Sequence, residues 1–256
     1  MCYDIKTSLE KQLKKALLDG KINDFKKITE KLRTFSKDEI TLYHASGFEH
    51  PRMYIYTQDD PSTPTLAYWG LVPTWSKDKE GIWDKTLNAR GESIFKKSSF
   101  RDSAVRKRYI IFLEGFYEHH HKAGKVFPYF IQMKDKDLFA VAGLWSEWIN
   151  ELGEVLKTFS IVTTSANALM AEIHNNPKLS EPRMPLILEE KEQQLWLNKE
   201  LNQNAVTNLM KPLEEGFLIA HTVAPIRGSQ ITSNLPNATD EYKYSVLESG
   251  EQLGLF

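Results

Sequence analysis

The chain begins MCYDIK, and Cys2 is its single cysteine among 256 residues. Because cysteine is small enough for the preceding methionine to be removed, we expect Cys2 to become a free amino terminus. An α-amine titrates at about 8 and a thiol at about 8.5, so both are partly deprotonated at neutral pH. The thiol can attack an acyl carbon, whereas amine and thiol together can condense with an aldehyde, first as an imine and then as a five-membered thiazolidine. The alternative is a chance cysteine on a frayed terminus.

A carboxylate is the second group that could do chemistry. The predicted strand over residues 108–117 is apolar apart from Glu114, and Glu118 follows at its exit. A carboxylate half buried beside a cleft has its pKa raised toward the range of a general acid. Side chains alternate along a strand, so Glu114 and Glu118 share a face and the sequence spacing does not separate them.

Histidines suggest two further interpretations. Residues 119–121 are three adjacent histidines, whose rings point in different directions on an extended chain. They therefore predict a solvent-exposed turn, and we predict no metal site. His174 ends a predicted helix, where the helix dipole favours a cation. Its functional interpretation is a proton shuttle that works at about pH 7.

Tryptophans flank a proline-containing turn in the segment YWGLVPTW, residues 68–75. Trp69 and Trp75 are either a buried pair or a wall on which a splayed base stacks, at about 1–3 kcal/mol per base. Farther along the chain, the amide of Asn88 can donate and accept hydrogen bonds, and the guanidinium of Arg90 suits a phosphate.

Positive charge is concentrated between residues 96 and 108, where Asp102 is the single acid. The basic residues are Lys96, Lys97, Arg101, Arg106, Lys107 and Arg108. This concentration indicates either a phosphate-binding patch or a solvated loop. The whole chain has 33 Lys and Arg against 34 Asp and Glu, so a nucleic-acid partner would have to be held by a local patch.

Composition limits the class of protein. One cysteine cannot form an internal disulfide, and we find neither a hydrophobic run of membrane-spanning length nor a resemblance to a signal peptide. These features predict a cytoplasmic protein with no membrane partner. The length is sufficient for a sizeable core without disulfides or metals.

The elements that must position these groups are predicted from periodicity. Residues 7–34 predict two amphipathic helices broken at Asp19-Gly20. Strands are predicted at 40–43, 53–56, 66–71, 109–116, 126–133, 138–144, 158–163 and 217–223, and further helices at 166–174, 189–197 and 202–210. The fold class is therefore α+β, with a mostly antiparallel, barrel-like strand system flanked by helices. We predict one domain over residues 1–235 and an irregular tail over 236–256.

Taken in order, these residues resemble the SOS response-associated peptidase family, whose members cross-link to abasic sites in DNA. The resemblance spans about residues 2–224. It comprises Cys2, the block from Trp69 to Trp75, Asn88-Ala89-Arg90, Gly115-Phe116-Tyr117-Glu118, Ala142-Gly143-Leu144-Trp145, and His174 with Arg183-Met184-Pro185.

The resemblance implies a role for each matching residue. Cys2 would condense with the ring-opened sugar aldehyde to form a thiazolidine, Glu118 rather than Glu114 would be the acid, and His174 would move protons on the sugar. Asn88 would lie near the sugar. Contacts to DNA are expected from Trp69, Trp75, Arg90, Arg106, Arg108 and Arg183. The expected partner is single-stranded DNA that contains abasic sites, bound by a monomer without metal or cofactor, with weak lyase activity and self-removal of Met1.

The sequence departs from the family pattern in two places. Members usually continue Met-Cys with Gly-Arg, whereas Tyr3 and Asp4 follow here. An acid therefore replaces the arginine that supplies a phosphate contact in the family. Residues 175–182 separate His174 from Arg183, which are normally almost adjacent. Two other functions stay open: an amidohydrolase of the glutaminase kind with an N-terminal cysteine, and a non-catalytic binder of single-stranded DNA.

Overall fold

A computed structural model describes residues 2–18, 26, 29–30, 41–227 and 234–248. Within this part of the chain there are thirteen β-strands and six α-helices. The strands are β1 (Asp4–Ser8), β2 (Thr41–Ser46), β3 (Arg52–Thr57), β4 (Thr65–Trp69), β5 (Asn88–Arg90), β6 (Arg108–Leu113), β7 (Gly115–Lys122), β8 (Lys125–Met133), β9 (Phe139–Ile149), β10 (Val155–Ser165), β11 (Arg183–Pro185), β12 (Ile187–Leu188) and β13 (Leu218–Thr222). The helices are α1 (Leu9–Leu18), α2 (Arg101–Arg106), α3 (Ala168–Ile173), α4 (Glu190–Leu197), α5 (Gln203–Asn208) and α6 (Ser245–Glu248).

Five strands close into a ring in the order β10-β4-β3-β6-β9, because β9 also pairs with β10. All pairings in this ring are antiparallel except that of β10 with β4. Strands β5 and β11 add to β10, and β12 adds to β9. The predicted α+β class with a mostly antiparallel, barrel-like strand system is therefore confirmed.

Aromatic side chains fill the main core, on one face of the ring strands. Trp69 and Phe159 are fully buried with stacked rings, and Tyr109 meets Phe159 edge to face. The ring of Tyr109 lies over the backbone of Gly143, its partner on β9, because Gly143 has no side chain. Alternate residues of the same strands face outward and pack with Trp196 of α4 in a second cluster.

The second sheet has the order β13-β8-β7-β1-β2 and brings the amino terminus beside β7. In this sheet Ile5 pairs with Phe116, and Asp4 pairs with Tyr117. The helix predicted from residue 7 begins two residues later, because Thr7 and Ser8 end β1. Most of the second predicted helix, with its preceding break at Asp19-Gly20, lies outside the described residues.

Three other predictions differ from the structure. The strand predicted over 109–116 is divided at Glu114 into β6 and β7. The histidines at 119–121 continue β7 and are not a turn. Residues 236–248 contain a 3₁₀ turn and α6, and the hydroxyl of Tyr244 donates to the Val223 carbonyl, so this part of the tail is not irregular. The domain boundary at residue 235 stays a prediction.

No helix in the described ranges is both long and apolar enough to cross a membrane.

We expect the variant Gly143→Ala to lose about 2–3 kcal/mol of folding stability. An added Cβ would stand 2.0 Å from ring carbons of Tyr109, so the core must shift to admit it. Urea denaturation measures the loss. Gly124→Ala is the control, because its added Cβ meets nothing within 4 Å, although a φ of +73° carries its own backbone cost. A loss at Gly143 no larger than that at Gly124 would contradict the packing argument.

Candidate active site

Cys2 lies two residues before β1, so the pairing of β1 with β2 and β7 restricts its position. The amide nitrogen of Asn88 donates to the Cys2 carbonyl at 2.8 Å. With Met1 in place, Cys2 is 1% exposed, and burial raises the pKa of its thiol well above the usual value, with the charge of Glu118 adding to the effect. Burial thus keeps this thiol protonated at neutral pH in the chain that retains Met1, in contrast to the partial ionisation that the ordinary pKa of a thiol predicts.

Glu118 is the carboxylate whose charge acts most strongly on the Cys2 thiol. It is buried in β7, burial raises its pKa, and its Oε1 accepts a hydrogen bond from the backbone N–H of His119 at 3.1 Å. Glu114, in contrast, forms ion pairs with Lys11 at 2.6 Å and Lys6 at 3.6 Å. The structure thus separates two carboxylates that the sequence spacing left equivalent.

His174 follows α3 and points its Nε2 toward Glu118, 4.0 Å from Oε2. The backbone N–H of Arg183 donates to its Nδ1 at 2.8 Å. Since Nδ1 accepts this bond, the proton of the neutral ring is on Nε2. Burial lowers the pKa of His174 to about 3. At neutral pH the ring is therefore an uncharged N–H donor that faces Glu118, rather than the shuttle near pH 7 that the sequence suggested.

A cavity of about 430 Å³ opens beside these groups. Its lining includes Glu118, His174, Tyr3, Asp4, His119 and Arg227. Burial also lowers the pKa of His119, to about 4, so its ring is uncharged at neutral pH. Next to Cys2, the Oδ1 atom of Asn88 is buried and has no hydrogen-bond partner among the described residues. That oxygen is positioned to accept a bond from a donor arriving at Cys2.

Two residues predicted to bind DNA are structural. Trp69 is in the core, where its indole N–H donates to the Leu87 carbonyl at 2.9 Å. Arg108 is 1% exposed and donates to backbone carbonyls at the ends of α2 and α4, among them those of Ala104 and Trp196. Neither side chain has surface with which to contact DNA.

Arg183 is also buried, and its charge is compensated. Its guanidinium pairs with Glu92 at 2.8 Å and Glu181 at 2.7 Å, and it donates to the Thr163 carbonyl. A guanidinium held by two carboxylates is poorly suited to bind a phosphate. The structure instead assigns Arg183 to holding the segment that contacts His174.

The remaining predicted DNA contacts are at the surface. Trp75 is 53% exposed, and its indole N–H donates to the Ser98 carbonyl at 3.2 Å, within the basic segment. In this segment four basic side chains are exposed, those of Lys96, Lys97, Arg101 and Arg106. Arg90 is partly exposed, with Glu181 at 3.8 Å from its guanidinium. The exposed indole of Trp75 thus contacts the backbone of a segment that carries exposed basic side chains.

The sequence did not identify His44 and Arg227, which lie on either side of the buried Asp4 carboxylate. The available signal was the acid at position 4 itself, because a carboxylate that is buried needs partners. Nothing in the chain order indicates which residues supply them.

Among the described residues there is no group of three or more His, Cys, Asp or Glu side chains that could hold a metal ion.

The depressed pKa of His174 predicts a pH-dependent stability. An unfolded histidine titrates at about 6.5, whereas folded His174 titrates at about 3. Between these values the unfolded chain binds a proton that the folded chain does not, so stability falls as pH decreases. Relative to wild type, His174→Gln should reduce the loss between about pH 7 and pH 5 by about 1–2 kcal/mol. Urea denaturation at both pH values measures this, with His120→Gln as the histidine control. Equal pH dependence in wild type and His174→Gln would contradict it.

Comparison with known proteins places the chain in a family. The family model described as SOS response associated peptidase (SRAP) matches residues 3–227. The chain is 37% identical over 192 residues to the abasic site processing protein YoqW of Bacillus subtilis, covering 73% of this chain and 82% of that protein. It is 33% identical to YobE of the same organism, covering 82% and 96% of the two chains. A crystal structure of a Bacteroides thetaiotaomicron protein is similar, with a TM-score of 0.74, 31% identity, and coverage of 84% and 90%. The chain therefore belongs to the SOS response associated peptidase family.

Proposed function

We propose that this protein processes abasic sites in DNA by forming a covalent bond between Cys2 and the damaged sugar. The observation that carries the proposal is structural. The single cysteine lies two residues before β1, where the charge of the buried Glu118 carboxylate acts on its thiol, and the neutral imidazole of His174 lies 4.0 Å from that carboxylate. The names of the relatives, abasic site processing proteins, support the same substrate.

The reaction first requires loss of Met1, because the Cys2 nitrogen is an amide while Met1 is attached. Hydrolysis of the Met1–Cys2 peptide bond consumes one water and leaves an α-amine beside the thiol. We assign the peptidase activity in the family name to this self-processing step. Asn88 holds the Cys2 carbonyl, and its free Oδ1 is placed to orient the new amine.

The amine then attacks the aldehyde carbon of the ring-opened sugar, and the carbinolamine loses water to give an imine. Glu118, with its raised pKa, supplies the proton that the departing hydroxyl takes. The Nε2–H of His174 donates a hydrogen bond to the sugar oxygen. Such a fixed donor stabilises developing negative charge without having to change its own protonation state.

Ring closure makes the adduct durable. The sulfur of Cys2 adds to the imine carbon, and the thiol proton moves through Glu118 to the nitrogen, so one C–N bond and one C–S bond have formed and one water has left. Because burial keeps the thiol protonated, sulfur reacts after the imine is present. The imine also permits elimination of the 3′ phosphate, so weak lyase activity competes with closure.

The strand of DNA is bound by exposed residues. We propose that bases stack on Trp75 and that phosphates contact Arg90 and Arg106. A single strand suits this arrangement, because its bases are available for stacking. The buried Trp69, Arg108 and Arg183 position the scaffold and do not bind DNA.

Cys2→Ala should abolish the stable cross-link to a single-stranded oligonucleotide with one abasic site. The variant retains an amine after removal of Met1 and lacks sulfur, so any imine it forms remains reducible and hydrolysable. A denaturing gel, with and without borohydride, separates the two species. The control is the wild-type chain with an uncleaved N-terminal extension, which leaves the Cys2 nitrogen as an amide. A borohydride-independent shift of equal strength in Cys2→Ala, or in the extended chain, would refute the proposal.

Glu118→Gln should slow cross-linking by about 10²–10⁴-fold, because the amide cannot transfer a proton. Glu114→Gln is the matched control, a carboxylate four residues earlier whose ion pairs are with Lys6 and Lys11. The rate is measured with excess protein on the abasic oligonucleotide, after intact mass has shown that Met1 is removed. Equal rates for the two variants would exclude Glu118 as the proton-transfer group.

A further inference from the structure

A charged cluster at the start of β1 is not used by the mechanism. Asp4 is 1% exposed, and its carboxylate lies between the Nε2 atom of His44, at 2.9 Å, and the guanidinium of Arg227. Burial opposes ionisation of Asp4, but the hydrogen bond from His44 and the charge of Arg227 lower its pKa below the usual value. The carboxylate is therefore ionised and its charge is compensated.

Arg227 differs from its two partners because much of it is at the surface. Its side chain is 47% exposed, and within the described ranges Asp4 is its one hydrogen-bond partner. The guanidinium lies over the ring of Phe48, 5.8 Å from its centroid, and Tyr3 packs on the same ring. An arginine has five N–H donors, so a side chain held by one carboxylate and one ring retains donors for a ligand.

The position of Arg227 relates it to the candidate active site. It lines the same cavity as Glu118 and His174. Its charge and that of Arg90 both lower the pKa of the Tyr3 hydroxyl, against the larger opposing effect of burial. Two guanidinium groups therefore lie within electrostatic reach of Tyr3, which directly follows the reactive residue.

We propose that Arg227 binds a DNA phosphate next to the lesion and that Asp4 and His44 hold the guanidinium in place. This inference rests on the proposed function, since it takes DNA as the ligand of the cavity. A planar guanidinium that is fixed on one edge and open on the other suits a phosphate. Asp4 does not repel the strand, because its charge is buried and paired.

Binding to an oligonucleotide that cannot react tests this role separately from the chemistry. The probe is a fluorescent single strand with one tetrahydrofuran residue, which has no aldehyde and forms no bond to Cys2. Arg227→Gln should weaken binding about tenfold at low salt and lower the slope of log affinity against log salt by about 0.7. Arg227→Lys, which keeps the charge, should restore most of the slope. Lys191→Gln is the control, because it removes one exposed positive charge from α4.

Substitution of Asp4 tests its role as the anchor of Arg227. Asp4→Asn removes one negative charge, which on charge alone would not weaken DNA binding, yet loss of the anchor should weaken binding of the same probe. Thermal melting verifies that each variant is folded, and if Asp4→Asn is unfolded the Arg227 variants alone decide.

Unchanged affinity and slope in Arg227→Gln, or a loss no larger than that in Lys191→Gln, would overturn the inference. Equal or tighter binding by folded Asp4→Asn would remove the anchoring role. Failure of the wild type to cross-link to a true abasic site would refute the proposed function, while a specific binding loss in Arg227→Gln would still identify a phosphate contact.

Discussion

Insertion of β1 between β2 and β7 is the constraint on which the site depends. Backbone hydrogen bonds to both neighbours fix the register, so Ile5 lies opposite Phe116, and Cys2, two residues before the strand, lies within reach of the Glu118 charge. An amino terminus is ordinarily the least ordered part of a chain. Here sheet pairing holds Cys2, the residue proposed to react, within the buried core cluster.

Burial then determines the protonation states. The same low-dielectric environment keeps the Cys2 thiol and His174 neutral and raises the pKa of Glu118, which gives three uncharged or weakly charged groups in one place. Charges that must remain are paired, as Asp4 is with His44 and Arg227. The acid at position 4, which departs from the family pattern, is thereby neutralised rather than presented to DNA.

The eight residues between His174 and Arg183 leave His174 4.0 Å from Glu118. Asn175 exchanges hydrogen bonds with the backbone of His121, and Glu181 pairs with the buried Arg183. The loop thus returns to β10 with the Arg183 N–H directed at His174. In the proposed reaction Arg183 acts through this contact, by orienting His174.

The sequence by itself determined most of the elements, the α+β class and the family, because hydrophobic periodicity and ordered motifs depend on neighbouring residues. It also marked Cys2 by type and position alone. Tertiary structure decided what depends on distant contacts: the division at Glu114, the exposure of Trp75 but not Trp69, and the pairing of Asp4 with Arg227 across more than two hundred residues. Burial and charge pairing set pKa values and access, and they exist only once strands far apart in the chain have been brought together.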